Sequence, residues 1–295
     1  MSLTEIFTDP LMSKIVIKAI VVGFLVSLCS SLLGVSLVLK RFSMIGDGLS
    51  HFGFFAVAIT TVTGIFDFTL AGKQFSLALE FEMLVVVIVA IILLRLKNTK
   101  TKGDAAIAIF STAGIALGSI IYNATGNNTM DVCTSLFGSS NIFTISDSDL
   151  AFSVVVTAAI IIAFVLFYTR VFAVTFDSDF AKATGIKSDM YNTLIAVLTA
   201  VTIVIGMKMM GAIMISGLII FPALSAMRVC KSFKSVVIVS AVFSVVCFLI
   251  GFFIACTLSF QTGPTVVTVD VAAFIVFVII SKLKAKSGSK EALKK

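Results

Sequence analysis

Nine apolar runs, each close to twenty residues long, dominate this chain. They fall roughly at residues 15–39, 45–65, 76–96, 105–123, 150–170, 190–206, 209–227, 235–257 and 265–281. A run of that length matches the hydrocarbon core of a bilayer when wound as an α-helix. The runs are continuous and do not alternate with period two, which argues for helices over a barrel. With 59% hydrophobic and only 13% charged residues, the chain lacks the polar surface a soluble protein of this length needs. The expected fold is all-α, a polytopic membrane helical bundle of about nine spans. The count falls to eight if 190–227 is one bent element, since that division rests on Gly206, Lys208 and Gly211.

Charge placement tests the count. Basic residues follow the first span (Lys40, Arg41), the third (Arg95, Lys97, Lys100, Lys102), the fifth (Arg170, Lys182, Lys187), the seventh (Arg228, Lys231, Lys234) and the ninth (Lys282 onward). Odd-numbered spans therefore end on one basic side, which puts the C-terminus in the cytoplasm and the N-terminus outside. The net charge of +7 is thus explained by orientation, with no need for nucleic acid. The outer segments are acidic (Glu5, Asp9, Asp67, Glu80, Asp131, Asp147, Asp149), which either attracts cations or merely reflects exclusion from cytoplasmic loops.

The first run is too long for a signal peptide, carries Glu5 and Asp9 before it, and is expected to remain in the mature protein. Residues 1–282 read as one membrane domain and 283–295 as a basic cytoplasmic tail without structure. A short helix is expected in the longest outer connection, 124–149. The cysteines Cys29, Cys133, Cys230, Cys247 and Cys256 show no CxxC spacing and read as small buried hydrophobes.

Ionisable groups at membrane depth are costly, so each is a candidate for function. Asp47 and His51, the only histidine, are four residues apart and share one face of a helix. A carboxylate and an imidazole so placed supply half of a tetrahedral zinc site or part of a manganese site. The competing reading is a buried Asp–His hydrogen bond that only positions the second span. Asp270 is a secondary candidate within the last span, but its closeness to Pro264 also suits the outer interface. Glu80 and Glu82 read as a solvated helix N-terminus, and Asp104 as another N-terminal helix charge. Gly114 and Gly118 form a small-xxx-small packing face. Met207, Met209, Met210 and Met214 could ligate copper(I) but suit flexible packing better.

No G-x-x-x-x-G-K-[ST] phosphate loop is present, so ATP in that mode would be handled by another polypeptide. The best candidate docking element for such a motor is Thr175–Asp189, which by itself reads equally as an ordinary amphipathic connector; Asp177 or Ser178 can cap a short helix there. Phe180 and Ala181 give that helix an apolar face, and Gly185 can stop it. No HExxH motif is present and one histidine cannot build a zinc catalytic set, which disfavours a membrane metalloprotease.

Three separated motifs resemble one family. They are Leu37–His51 (LVLKRFSMIGDGLSH), Phe176–Gly185 (FDSDFAKATG) and Gly211–Arg228 (GAIMISGLIIFPALSAMR). In order and spacing they resemble the zinc/manganese/iron permeases of bacterial ATP-binding-cassette importers, across most of residues 20–280. The resemblance implies a multi-pass subunit of the bacterial inner membrane that is not itself an enzyme and holds no permanent cofactor. It implies a second copy of the chain, a cytoplasmic ATPase and an extracytoplasmic metal-binding protein as partners. It places metal contact on Asp47 and His51, and ATPase coupling on a segment at 176–187, at Phe176, Asp177, Ala181 and Gly185. Where many members have a proline-containing turn after the histidine, this chain has Phe52-Gly53-Phe54-Phe55. The nitrogen-plus-carboxylate set favours zinc slightly, with manganese or iron next. The alternative is a proton-coupled secondary transporter that works through Asp47 and His51 without an ATPase.

Overall fold

The structure is a computed structural model that describes residues 10–42, 44–63, 67–70, 73–76, 78–96, 103–124, 138 and 147–292. In chain order the elements are α1 (Pro10–Leu39), α2 (Ile45–Thr63), β1 (Asp67–Leu70), β2 (Lys73–Ser76), α3 (Ala78–Leu96) and α4 (Gly103–Ala124). They continue with α5 (Asp147–Leu166), α6 (Tyr168–Phe176), α7 (Ser178–Ala183), α8 (Ser188–Met210), α9 (Ala212–Val229), α10 (Phe233–Leu258) and α11 (Thr262–Ala292). The short antiparallel hairpin β1–β2, registered Asp67 to Ser76, is the one departure from all-helical structure among the described residues.

Among the described residues, seven helices are long and apolar enough to cross a bilayer, and the bent pair α5–α6 makes an eighth. Helix α3 fills the third expected run but lies outside that count, so the structure supports seven or eight spans. The fifth run was expected to continue straight to residue 170. Instead the chain bends by 70° between Leu166 and Tyr168, which lays α6 across the end of the bundle. The doubtful division at 190–227 is resolved as two helices. Gly211 separates them at φ 94°, a conformation that side chains with a Cβ rarely adopt. At the far end, α11 continues as helix to Ala292, through the basic segment expected to be unstructured. The helix expected within 124–149 falls outside the described residues.

Helices α8 and α9 form the buried centre and pack on α1, α3 and α10, while α11 lies on the rim. Outward side chains such as Val155, Ile162, Leu166, Ile275 and Ile279 are exposed and apolar. Only a lipid solvent makes that arrangement stable. In the interior, small hydroxyl residues let helices approach. Ser30 returns its proton to Val26 O within its own helix, and Ser244 donates across to Ser27 O at 2.9 Å. The methionines at 207, 209, 210 and 214 are all buried in this packing, and Cys29 and Cys247 are buried free thiols.

Candidate functional site

The sequence Ile45-Gly-Asp-Gly-Leu-Ser-His starts α2 shortly after a tight turn at Lys40 and Arg41. In that turn Arg41 adopts φ 62° and Phe42 N–H donates back to Leu37 O at 2.9 Å. Asp47 therefore lies in the first turn of the helix, with His51 one turn further in. The Nε2 atom of His51 lies 3.6 Å from Asp47 Oδ1. That is too long for a hydrogen bond. It is close to the roughly 3.3 Å that separates two donor atoms on one tetrahedral cation with bonds of about 2.0 Å.

The other imidazole nitrogen has a partner from a different helix. His51 Nδ1 pairs with the Ser111 hydroxyl of α4 at 2.7 Å. When Nδ1 carries the proton and donates to Ser111, Nε2 presents a free lone pair toward Asp47. The side chains of His51 and Asp47 are 17% and 40% exposed, so the pair is reachable from outside the chain. Sequence reasoning missed Ser111, although the packing face one turn along pointed to it. A Cβ on Gly114 would lie 2.7 Å from His51 O, and one on Gly118 would meet the Phe54 ring at the same distance. These two glycines let α4 close on α2 and bring Ser111 to the imidazole.

Among the described residues, no three His, Cys, Asp or Glu side chains gather as a metal site. At this point a single chain brings together two groups that could hold a metal ion, Asp47 and His51. Asp270 is fully buried within the chain, beside the Cys247 thiol of α10, and among the described residues neither carboxyl oxygen has an ordinary hydrogen-bond partner. Residues Gly217 and Gly251 allow α11 to sit tightly on α9 and α10, so Asp270 faces inward despite its nearness to Pro264. The reading of Glu82 as a solvated N-terminal charge is overturned. Glu82 is 3% exposed and accepts from Thr60 Oγ1 at 2.9 Å, because its helix packs against α2 and α8 from the first turns onward.

The segment 176–187 is built as its residues dictate. Asp177 caps α7, its Oδ1 accepting from Asp179 N–H at 3.0 Å and Phe180 N–H at 2.9 Å. Gly185 ends the helix at φ 85°, with Gly185 N–H donating to Lys182 O and Ile186 N–H to Ala181 O, the paired bonds of a Schellman stop. Ala181 is fully buried against Val174 of α6 and Tyr191 of α8. Phe180 does not share that face. Phe180 and Phe176 are 66% and 60% exposed, and the Phe176 ring also packs on Phe172 and Phe233. Beside them, a cavity of about 860 Å³ is lined by Lys40, Arg41, Asp179, Lys182 and Asn192. Lys182 pairs with Asp189 at 3.1 Å, Lys40 donates to the Asn192 side chain, and Arg170 donates to the Tyr191 hydroxyl.

Residues 12–281 match the ABC 3 transport family. The chain belongs to that family. It is 27% identical to the manganese import system permease protein ScaB of Streptococcus gordonii, with 90% of each chain covered. It is 25% identical to the high-affinity zinc uptake system membrane protein ZnuB of Haemophilus influenzae, over 90% of this chain and 97% of that one. In fold it is similar to a solved structure, PsaBC from Streptococcus pneumoniae in complex with Fab, at TM-score 0.76 and 25% identity over 92% of both chains. This ABC 3 chain is therefore a multi-pass membrane permease of a metal transport family and not an enzyme.

Proposed function

We propose that this chain is the membrane permease of an ATP-driven importer and passes a divalent transition metal along Asp47 and His51. The 3.6 Å approach of a carboxylate oxygen to an imidazole nitrogen carries the reading, with Ser111 orienting the ring from behind. Two such pairs brought together by a second copy of the chain would offer four ligands. That is enough to select an ion and, without thiolates, too weak to trap it. The segment Phe176, Asp177, Ala181 and Gly185 would transmit the cycle of a cytoplasmic ATPase, and an extracytoplasmic binding protein would deliver the metal. The capped, docked α7 with its exposed Phe180, and the exposed Phe176 at the end of α6, support that role. Basic residues at the ends of odd-numbered spans support a cytoplasmic C-terminus and an outer N-terminus.

Zinc suits one nitrogen and one oxygen per subunit. A second reading, manganese, is favoured by the import system named for ScaB. The deciding experiment is uptake of labelled zinc and manganese by cells that express the chain with its ATPase and binding protein, intact and as His51→Ala. Uptake of one metal that collapses in the variant at equal membrane levels supports the reading and names the cargo. Uptake that persists without the ATPase would instead establish a secondary transporter.

A further inference from the structure

Helix α2 is held from two sides, and only one hold belongs to the metal-contacting face. Nine residues separate His51 from Thr60. At about 100° per residue this turns the helix through roughly half a revolution and advances it about 13 Å. Thr60 accordingly faces α3 and α8 where His51 faces α4. Its hydroxyl lies 2.9 Å from Glu82 Oε1 on α3 and 2.9 Å from Val57 O in its own helix, so one proton is shared between two acceptors. Among the described residues, Glu82 Oε2 has no hydrogen-bond partner. Lys208, in the last turn of α8, attracts the carboxylate through space, and the exposed Glu80 opposes it. A buried carboxylate with one unpartnered oxygen is expensive to keep when packing alone is at stake, since an apolar side chain would fill the same space at no such cost.

We propose that Glu82 is a positioning residue, which grips α2 through Thr60 and so fixes the helix rotation that turns Asp47 and His51 toward α4. Lys208 supplies the counter-charge that lets the carboxylate stay at depth. The grip lies at the opposite end of α2 from Asp47 and behind the metal-contacting face, so its effect reaches the imidazole only through the helix body. Ser111 and Gly114 fix one side of α2, and Glu82 fixes the other. The inference rests on the importer reading for its consequence in transport, but not for its structural content.

Because His51 is the only histidine, its ring gives a single set of nitrogen signals. The test is therefore the ¹⁵N-histidine spectrum of the full chain in lipid nanodiscs, with uptake kinetics measured alongside. Thr60→Val and Glu82→Ala are expected to move the His51 ring signals in the direction that Ser111→Ala moves them. Thr60→Ser, which keeps the hydroxyl, should leave them in place. In uptake, Thr60→Val should raise the KM for the metal about three- to tenfold, with maximal rate and membrane level within twofold of the intact chain. Should Glu82→Ala fail to accumulate, the Thr60→Val and Thr60→Ser pair decides. Unmoved His51 signals in Thr60→Val would overturn the proposal, as would a fall in maximal rate and membrane level at constant KM. An intact chain that imports no metal would refute the importer reading, while the histidine spectra would still settle the grip.

Discussion

His51 Nδ1 sits 2.7 Å from the Ser111 hydroxyl, so the imidazole carried by α2 is oriented by a contact from α4. The hydroxyl can reach the ring only because Gly114, one turn further along α4, has no side chain to hold α2 away. Each consequence below follows from a contact of this kind.

Replacing either Asp47 or His51 by Ala removes one of the two donor atoms that face each other at 3.6 Å. Metal uptake should fall more than tenfold in each variant at unchanged membrane level, and the double variant should be little worse than either. Independent, multiplicative losses would show that the two side chains do not act on the same ion.

Ser111→Ala leaves Nδ1 without its partner. Loss of one such bond is worth about 1 kcal/mol, or roughly fivefold in affinity. The KM for metal should rise by about that factor while the amount of folded protein stays constant. An unchanged KM would mean that the ring needs no support from α4.

Gly114→Ala places a methyl carbon 2.7 Å from His51 O. Backbone on both sides must separate, and overpacking of this type costs about 1–3 kcal/mol. The variant should show a lower thermal midpoint in detergent and a raised KM, the two effects arising together. Wild-type behaviour in both would mean that α2 and α4 are looser than the contact indicates.

Asp177→Ala strips the cap from α7, two backbone N–H groups losing their acceptor, at a cost of about 1 kcal/mol. Ala181→Leu drives a larger side chain into the fully buried contact with Val174 and Tyr191. Both should weaken co-purification of the ATPase and metal-stimulated ATP hydrolysis, the leucine more strongly. Metal binding by the permease alone should be unaffected. A loss of metal binding in either variant would show that α7 shapes the membrane path itself.

Much of the architecture is legible in the sequence, because a bilayer imposes one rule on every span. Each apolar run became a helix, and the break at Gly211 and the cap and stop of α7 at Asp177 and Gly185 arose from local chemistry alone. The bend at Phe167 was not legible. Nothing in an unbroken apolar run reveals that its last turns will lie across the bundle end. Glu82 was misjudged for a related reason. Its position at the start of a span suggested solvent, whereas its surroundings depend on which neighbouring helix the side chain faces.

What the sequence determined by itself is the solvent, the helices and the Asp47–His51 spacing, since hydropathy, helical period and capping act over a few residues. What only the tertiary structure decided is the company those residues keep. Ser111 lies 60 positions from His51, and Thr60 lies 22 from Glu82. Pairings over such separations are set by the close packing of helices, where one missing Cβ determines which groups can meet.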